Sequence, residues 1–163
     1  MTSDVKFTLS NPVHFLALGF GSGLLKPAPG TWGTLVAVPL FLAINALQPG
    51  LAIWWLIVVL SFLAGIYLCG KTASDVGAHD HGAIVWDEFV GFFVTMVIAL
   101  HFVTASPINV ALAFALFRLF DIAKPWPIRW LDAKVHGGFG IMLDDVIAGI
   151  FAAAVLVIVQ PLL

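Results

Sequence analysis

The chain has 163 residues, 61% of them hydrophobic and only 10% charged, with a formal net charge of −2. A soluble domain carries roughly a quarter charged residues, so a water-facing surface over most of the molecule is excluded and lipid must solvate much of it. The length suits one domain, residues 1–163. With no basic tail or patch, there is no footprint for nucleic-acid binding. The single cysteine, Cys69, lies in an apolar run; it cannot form an intramolecular disulfide and reads as a packing residue. The first eleven residues lack the basic-then-apolar layout of a signal peptide, so the chain is expected to be mature protein throughout.

In chain order, residues 13–25 are apolar but hold Gly19, Gly21 and Gly23, which suits a re-entrant, interfacial or buried half-helix. A glycine-rich stretch continues to Thr34, and residues 35–47 form a short apolar run. Gln48-Pro49-Gly50 marks a tight turn. Residues 51–70 follow without a charge, the length of about 20 residues that a helix needs to cross the hydrocarbon core. A third helix is expected over 89–102, interrupted only by Thr95 and His101. Ser106-Pro107 makes the next turn, and a fourth helix over 109–120 breaks before the Lys124-Pro125-Trp126-Pro127 corner. The last helix is expected over 146–159. Backbone polar groups in lipid must be paired internally, and these long runs lack the alternation of barrel strands. The expected fold is therefore an all-α membrane helix bundle, with four to five spanning helices and a glycine-rich N-terminal segment.

Of 16 charged side chains, 13 lie between Lys71 and Asp145, in the stretches 71–88 and 118–145. Threading the hairpins puts both stretches and Lys26 on one membrane face, while the turns at 48–50 and 106–109 carry no charge. Lys26, Lys71, Lys124, Arg129 and Lys134 make that face cytoplasmic by the positive-inside rule.

Three clusters on that face can carry chemistry. The first holds Asp75, His79, Asp80, His81, Asp87 and Glu88; the second Arg118, Asp121, Lys124, Arg129 and Asp132; the third Asp144-Asp145, preceded by Gly137-Gly138-Phe139-Gly140. Asp87-Glu88 and Asp144-Asp145 are expected to open the third and last helices, where acids also serve as caps worth about 0.3–1 kcal/mol each. Two acidic pairs plus Asp80 and Asp121, in a chain so poor in charge, exceed what capping requires. Ionisable groups near hydrocarbon cost roughly 2.5–3.5 kcal/mol on insertion scales and usually mark function. Crowded carboxylates repel one another, and a hard divalent ion removes that cost. Oxygen ligands with retained waters are what Mg²⁺ prefers, and it commonly bridges to phosphate. Arg118, Lys124 and Arg129 then read as a phosphate clamp, against the plainer readings of a one-turn ion pair for Arg118 and a basic collar for the other two. Backbone N–H groups of the glycine-rich loop and Thr31 could add phosphate contacts, although no Walker motif is present. His79 and His81 lack zinc-ligand spacing, and His14 and His101 read as satisfied core histidines.

Four ordered motifs carry a resemblance. Gly21-Ser-Gly-Leu with Pro29-Gly-Thr, His79-Asp-His-Gly-Ala-Ile-Val-Trp-Asp-Glu, Phe117-Arg-Leu-Phe-Asp-Ile-Ala-Lys-Pro-Trp-Pro-Ile-Arg and His136-Gly-Gly-Phe-Gly-Ile-Met-Leu-Asp-Asp together resemble the phosphatidylglycerophosphatase A family, over nearly the whole chain. The resemblance implies a bacterial inner-membrane enzyme with a cytoplasm-facing site. It would remove the terminal phosphate of phosphatidylglycerophosphate with Mg²⁺, its partner being this phospholipid. It places the family's acidic motif on Asp80, Asp87, Glu88, Asp144 and Asp145, as catalytic and metal-holding residues, and its Arg-Asp-Lys motif on Arg118, Asp121 and Lys124. His79 is expected in support. No Asp-x-Asp-x-Thr is present, no arginine stands where a cysteine phosphatase would need one after Cys69, and the histidine-nucleophile lipid phosphatase pattern is missing. A metal-activated water is the preferred nucleophile, with Asp80 or Asp87 as a covalent alternative. The rival function class is a small ion-coupled transporter or channel, which also uses intramembrane acids and broken helices.

Overall fold

The computed structural model describes residues 7–78 and 81–162. Seven α-helices run Pro12–Ala17 (α1), Pro29–Ala46 (α2), Leu51–Val76 (α3), Trp86–Ala99 (α4), Pro107–Ala123 (α5), Ile128–Lys134 (α6) and Gly137–Val159 (α7), and no strand occurs among the described residues. Three helical stretches, Pro29–Ala46, Leu51–Val76 and Gly137–Leu162, are long and apolar enough to cross a membrane. Their outward side chains include Leu35, Ile53, Leu56, Leu60, Leu63 and Ile158, all exposed, as expected where lipid replaces water.

The shorter α4 is the centre of the bundle. Its 14 residues rise about 21 Å, less than the roughly 30 Å of hydrocarbon. Twelve of them are buried, against α2, α3, α5 and α7. A helix wrapped in other helices needs no full-length lipid-facing surface, so four to five spans was an approximate count. Phe41, Trp54, Phe92 and Phe93 form an aromatic cluster between α2, α3 and α4, with Phe41 stacked on Trp54 at 4.9 Å between ring centroids.

Several boundaries differ from the sequence expectation. Helix α2 begins at Pro29 rather than residue 35, with proline at a first-turn position that needs no N–H. Helix α3 runs six residues past Gly70 and stops at Gly77, whose φ of 67° is the left-handed conformation that glycine adopts freely. The largest difference is α7, which begins at Gly137 instead of residue 146. Glycine has poor helix propensity, so Gly137-Gly138-Phe139-Gly140 reads as loop. Packing overrides this: a Cβ on Gly138 would overlap the Ile66 carbonyl and come within 2.9 Å of the Gly70 nitrogen. The absent side chain is what lets α7 lie directly on α3.

The segment over 13–25 is part helix and half-buried: His14, Ala17, Leu18, Ser22 and Gly23 are buried, while Phe15, Phe20, Leu24 and Leu25 are exposed. Asn11 caps α1 through the Val13 N–H at 2.9 Å, and a 3₁₀ turn, Ser22–Leu24, follows. It braces the entry to α4, since the Val85 N–H donates to the Ala17 carbonyl at 2.8 Å and Gly19 packs on Val85 and Phe89. His14 is buried, with Nε2 at 3.3 Å from Asp75 Oδ2. His101 accepts from Trp55 Nε1 at 3.1 Å but is exposed rather than a core residue. Cys69 is fully buried, 3.7 Å from the Met142 sulfur, a packing role.

Candidate active site

The site begins with a glycine seam between α4 and α7. A Cβ on Gly149 would stand 2.5 Å from the Gly91 carbonyl oxygen, and one on Gly91 would stand 2.9 Å from that of Asp145. Thr95 Oγ1 donates to the Gly91 and Gly149 carbonyls, at 2.9 and 3.2 Å. Small residues allow such close backbone approach in membrane bundles. Asp87 precedes Gly91 by four residues, and Asp145 precedes Gly149 by four. Residues four apart share a helix face, so the closest approach of the backbones lies one turn from both acids and aims them at each other. One ligand oxygen each from Asp87, Glu88 and Asp145 lies within 4.8 Å of the others, and the three residues are only 9%, 8% and 3% exposed.

Two cations come in from α5 and its exit. Arg118 Nη1 is 3.7 Å from Glu88 Oε1 and is also paired with Asp121, one turn along α5. The first turn of α2 closes over this pair at Gly30, where a Cβ would strike Glu88 Oε1 and stand 2.9 Å from both terminal guanidinium nitrogens. Lys124 ends α5 in a left-handed conformation, φ 40°, which costs a non-glycine residue about 1–2 kcal/mol. That turn accompanies a 2.6 Å bond from its Nζ to Asp144 Oδ2 and a 3.2 Å contact with Asp132 Oδ2. Burial acts to lower the Lys124 pKa, but the bond to Asp144 and the charges of Asp144 and Asp132 outweigh it and hold the ammonium above the ordinary lysine value.

The balance is strongly negative. Asp87, Asp121 and Asp144 all bear on Asp145 as like charges, and Glu88 stands beside them, against the two cations Arg118 and Lys124 among the described residues. Unit like charges about 5 Å apart repel by roughly 3 kcal/mol at an effective dielectric of 20. Glu88 Oε2 and Asp145 Oδ2 are buried without a hydrogen-bond partner among the described residues. An all-oxygen, electron-rich, under-satisfied donor set of this kind fits a hard divalent cation.

The family model described as phosphatidylglycerophosphatase A matches residues 15–160. The chain belongs to the phosphatidylglycerophosphatase A family. It is 51% identical over 155 residues to the phosphatidylglycerophosphatase A of Haemophilus influenzae, covering 95% of this chain and 93% of the relative. Against that of Escherichia coli it is 48% identical over 155 residues, covering 93% and 85%. A relative from Bacteroides thetaiotaomicron, provisionally named a phosphatidylinositol-3-phosphatase, is 39% identical over 146 residues, covering 84% and 86%. No solved structure matches the chain. As a member of the phosphatidylglycerophosphatase A family, the protein is a phosphoric monoester hydrolase.

The structure brings Asp87, Glu88, Asp144, Asp145, Arg118, Asp121 and Lys124 of the family's motifs into one cluster. His79 and Asp80 lie outside the described residues. Thr31 is half-buried beside Gly30. Arg129 is exposed on α6 and, unlike Arg118 and Lys124, makes no ion pair among the described residues. One expectation is corrected: Asp144-Asp145 does not open α7 but lies two turns inside it. Helix-end capping therefore cannot account for this pair. Sequence reasoning placed Asp132 in the second cluster and Gly30 in a motif but gave neither a role, although Asp132 shares Lys124 with Asp144; it did not single out Gly91 and Gly149. The signal for the last two was a small residue four positions after each acid.

Proposed function

We propose that the protein hydrolyses the terminal phosphomonoester of phosphatidylglycerophosphate, giving phosphatidylglycerol and inorganic phosphate in phospholipid synthesis, with Mg²⁺ as cofactor. The observation that carries this reading is the buried convergence of Asp87, Glu88 and Asp145 from two helices, flanked by two cations that are themselves held by carboxylates. The names of the Haemophilus and Escherichia relatives supply the substrate. The helix ends meeting at the site are those next to Lys26, Lys71, Lys124, Arg129 and Lys134, which supports a cytoplasm-facing site in the bacterial inner membrane. Gathering of charge at one end of the bundle, away from its middle, speaks against a transporter.

In this reading Asp87, Glu88 and Asp145, with Asp144 beside them and Asp80 from the preceding segment, would hold Mg²⁺. When bound, the ion supplies neutralisation of the phosphoryl group and a more acidic water. Arg118 and Lys124 bind the non-bridging phosphate oxygens. Glu88 and Asp121 aim the Arg118 guanidinium, and Asp144 and Asp132 aim the Lys124 ammonium, so neither side chain must be ordered during the reaction. Thr31 adds a hydroxyl from the first turn of α2. Water attacks phosphorus, a carboxylate of the cluster takes its proton, and the bond from phosphorus to the glycerol oxygen breaks. The departing oxygen takes up one proton to become the free hydroxyl of phosphatidylglycerol. The test is phosphate release from phosphatidylglycerophosphate in detergent micelles, across a Mg²⁺ titration, by Asp87→Asn and Asp145→Asn. Both variants are expected to be inactive at every Mg²⁺ concentration; full release by both would discard the assignment.

A further inference from the structure

Arg118 and Lys124 are paired with carboxylates, but the third cation of the same motif, Arg129, makes no ion pair among the described residues. Arg129 lines a cleft of about 500 Å³ with Ala123, Lys124, Trp126, Trp130 and Ala133. One wall of the cleft is thus Lys124, whose ammonium touches Asp144 in the acidic cluster, so it adjoins the site on its exposed side. Trp126 and Trp130 are 81% and 54% exposed. Exposed indoles in a membrane protein are enriched at the head-group level, and the fully buried Ile128 anchors α6 to the bundle. A guanidinium that makes no ion pair among the described residues, in a cleft it shares with two indoles and an ammonium, suits an anion with at least two oxygens to share, because its planar fork binds phosphate in bidentate fashion.

Under the proposed function, the substrate carries two phosphates: the monoester that is removed and an internal diester nearer the acyl chains. We propose that this cleft is a second anion subsite in which Arg129 holds the phosphodiester of the lipid, while the monoester reaches Arg118 and Lys124. The inference rests on the proposed function and deepens it. Arg129 is then the residue that distinguishes a lipid with both phosphates from phosphatidate, which has only a monoester. A basic collar that merely anchors the helix would show no such discrimination.

The two reaction products separate the subsites, since phosphatidylglycerol carries only the diester and inorganic phosphate only the transferred group. The experiment measures phosphate release from phosphatidylglycerophosphate in neutral detergent micelles, with each product as inhibitor, for the unmodified protein, Arg129→Gln, Arg129→Lys and Lys134→Gln. Arg129→Gln is expected to raise KM and to weaken inhibition by phosphatidylglycerol, each about tenfold, leaving kcat and inhibition by inorganic phosphate unchanged. Arg129→Lys should recover part of the loss. Lys134→Gln, which removes an exposed cation of α6 outside the cleft lining, should change neither. Equal weakening of both inhibitors would place Arg129 on the reacting phosphate and overturn the proposal, as would no change in either or an equal effect from Lys134→Gln. Unmodified protein that releases no phosphate from this lipid would overturn the proposed function and the subsite with it.

Discussion

The two acidic pairs look alike in the sequence and occupy different places. Asp87-Glu88 sits in the first turn of α4, where the helix dipole favours negative charge. Asp144-Asp145 sits two turns inside α7, about 10–12 Å along the axis from Gly137, where no exposed N–H group awaits it. The first pair has a structural reason to exist, and the second does not. Asp144 is held by Lys124, but Asp145 faces other carboxylates, an arrangement that selection for stability alone would remove. A pair of acids two turns inside a helix, buried and under-compensated, is therefore the stronger mark of function.

The sharpest way to break this comparison is Asp145→Asn. Loss of an outer-shell partner of a metal site costs about 10–100-fold, so if Asp145 holds Mg²⁺ as proposed, this variant should cost more than about 100-fold in phosphate release. The same variant relieves like-charge crowding, so its thermal midpoint without divalent ions should rise. The unmodified protein should instead be stabilised by Mg²⁺, and this variant should lose that response. A midpoint that falls, with the Mg²⁺ response intact, would show Asp145 to be structural. Asp144→Asn leaves the three-carboxylate core in place but takes from Lys124 its closer carboxylate, leaving the Asp132 contact. Its activity should drop about 10–100-fold, chiefly in phosphate affinity, read as KM and as inhibition by inorganic phosphate.

Gly149→Ala tests the seam that brings the two pairs together. A methyl group at the Gly91 carbonyl should cost about 1–3 kcal/mol in stability and lower activity without touching any charge, read as a shift of the denaturation midpoint beside turnover. The smallest effect is expected from Thr31→Val, which removes one hydroxyl and about 1 kcal/mol of binding, or roughly fivefold in KM with kcat kept. Lys124 also sets an expectation for pH. Its folded-state pKa is raised, so its contribution to stability is complete below the unfolded lysine value of about 10.4 and is lost only as pH rises through the folded value. Stability measured between pH 7 and 9 should show no loss that Lys124→Met abolishes.

Much of this arrangement was legible from residue types. The scarcity of charge, the uncharged run over 51–70 and the confinement of 13 charges to two stretches are one-dimensional facts. They forced a helical membrane bundle with a single polar end, because lipid penalises unpaired backbone and stray charge alike. Asp87, Glu88, Arg118, Lys124, Asp144 and Asp145 likewise stand out in the sequence as candidates, since ionisable groups near hydrocarbon are costly, and the fold gathers them. What tertiary structure decided was how those residues meet. Glycine in a sequence reads as a break, yet at 137–140 it is helix, because its missing side chain lets α7 rest on the α3 backbone. That same property at Gly91 and Gly149 determines which carboxylates converge, and which cations are held beside them, while Arg129 makes no ion pair among the described residues. Propensity is a property of one residue; close approach belongs to two surfaces distant along the chain, and only the folded packing brings them together.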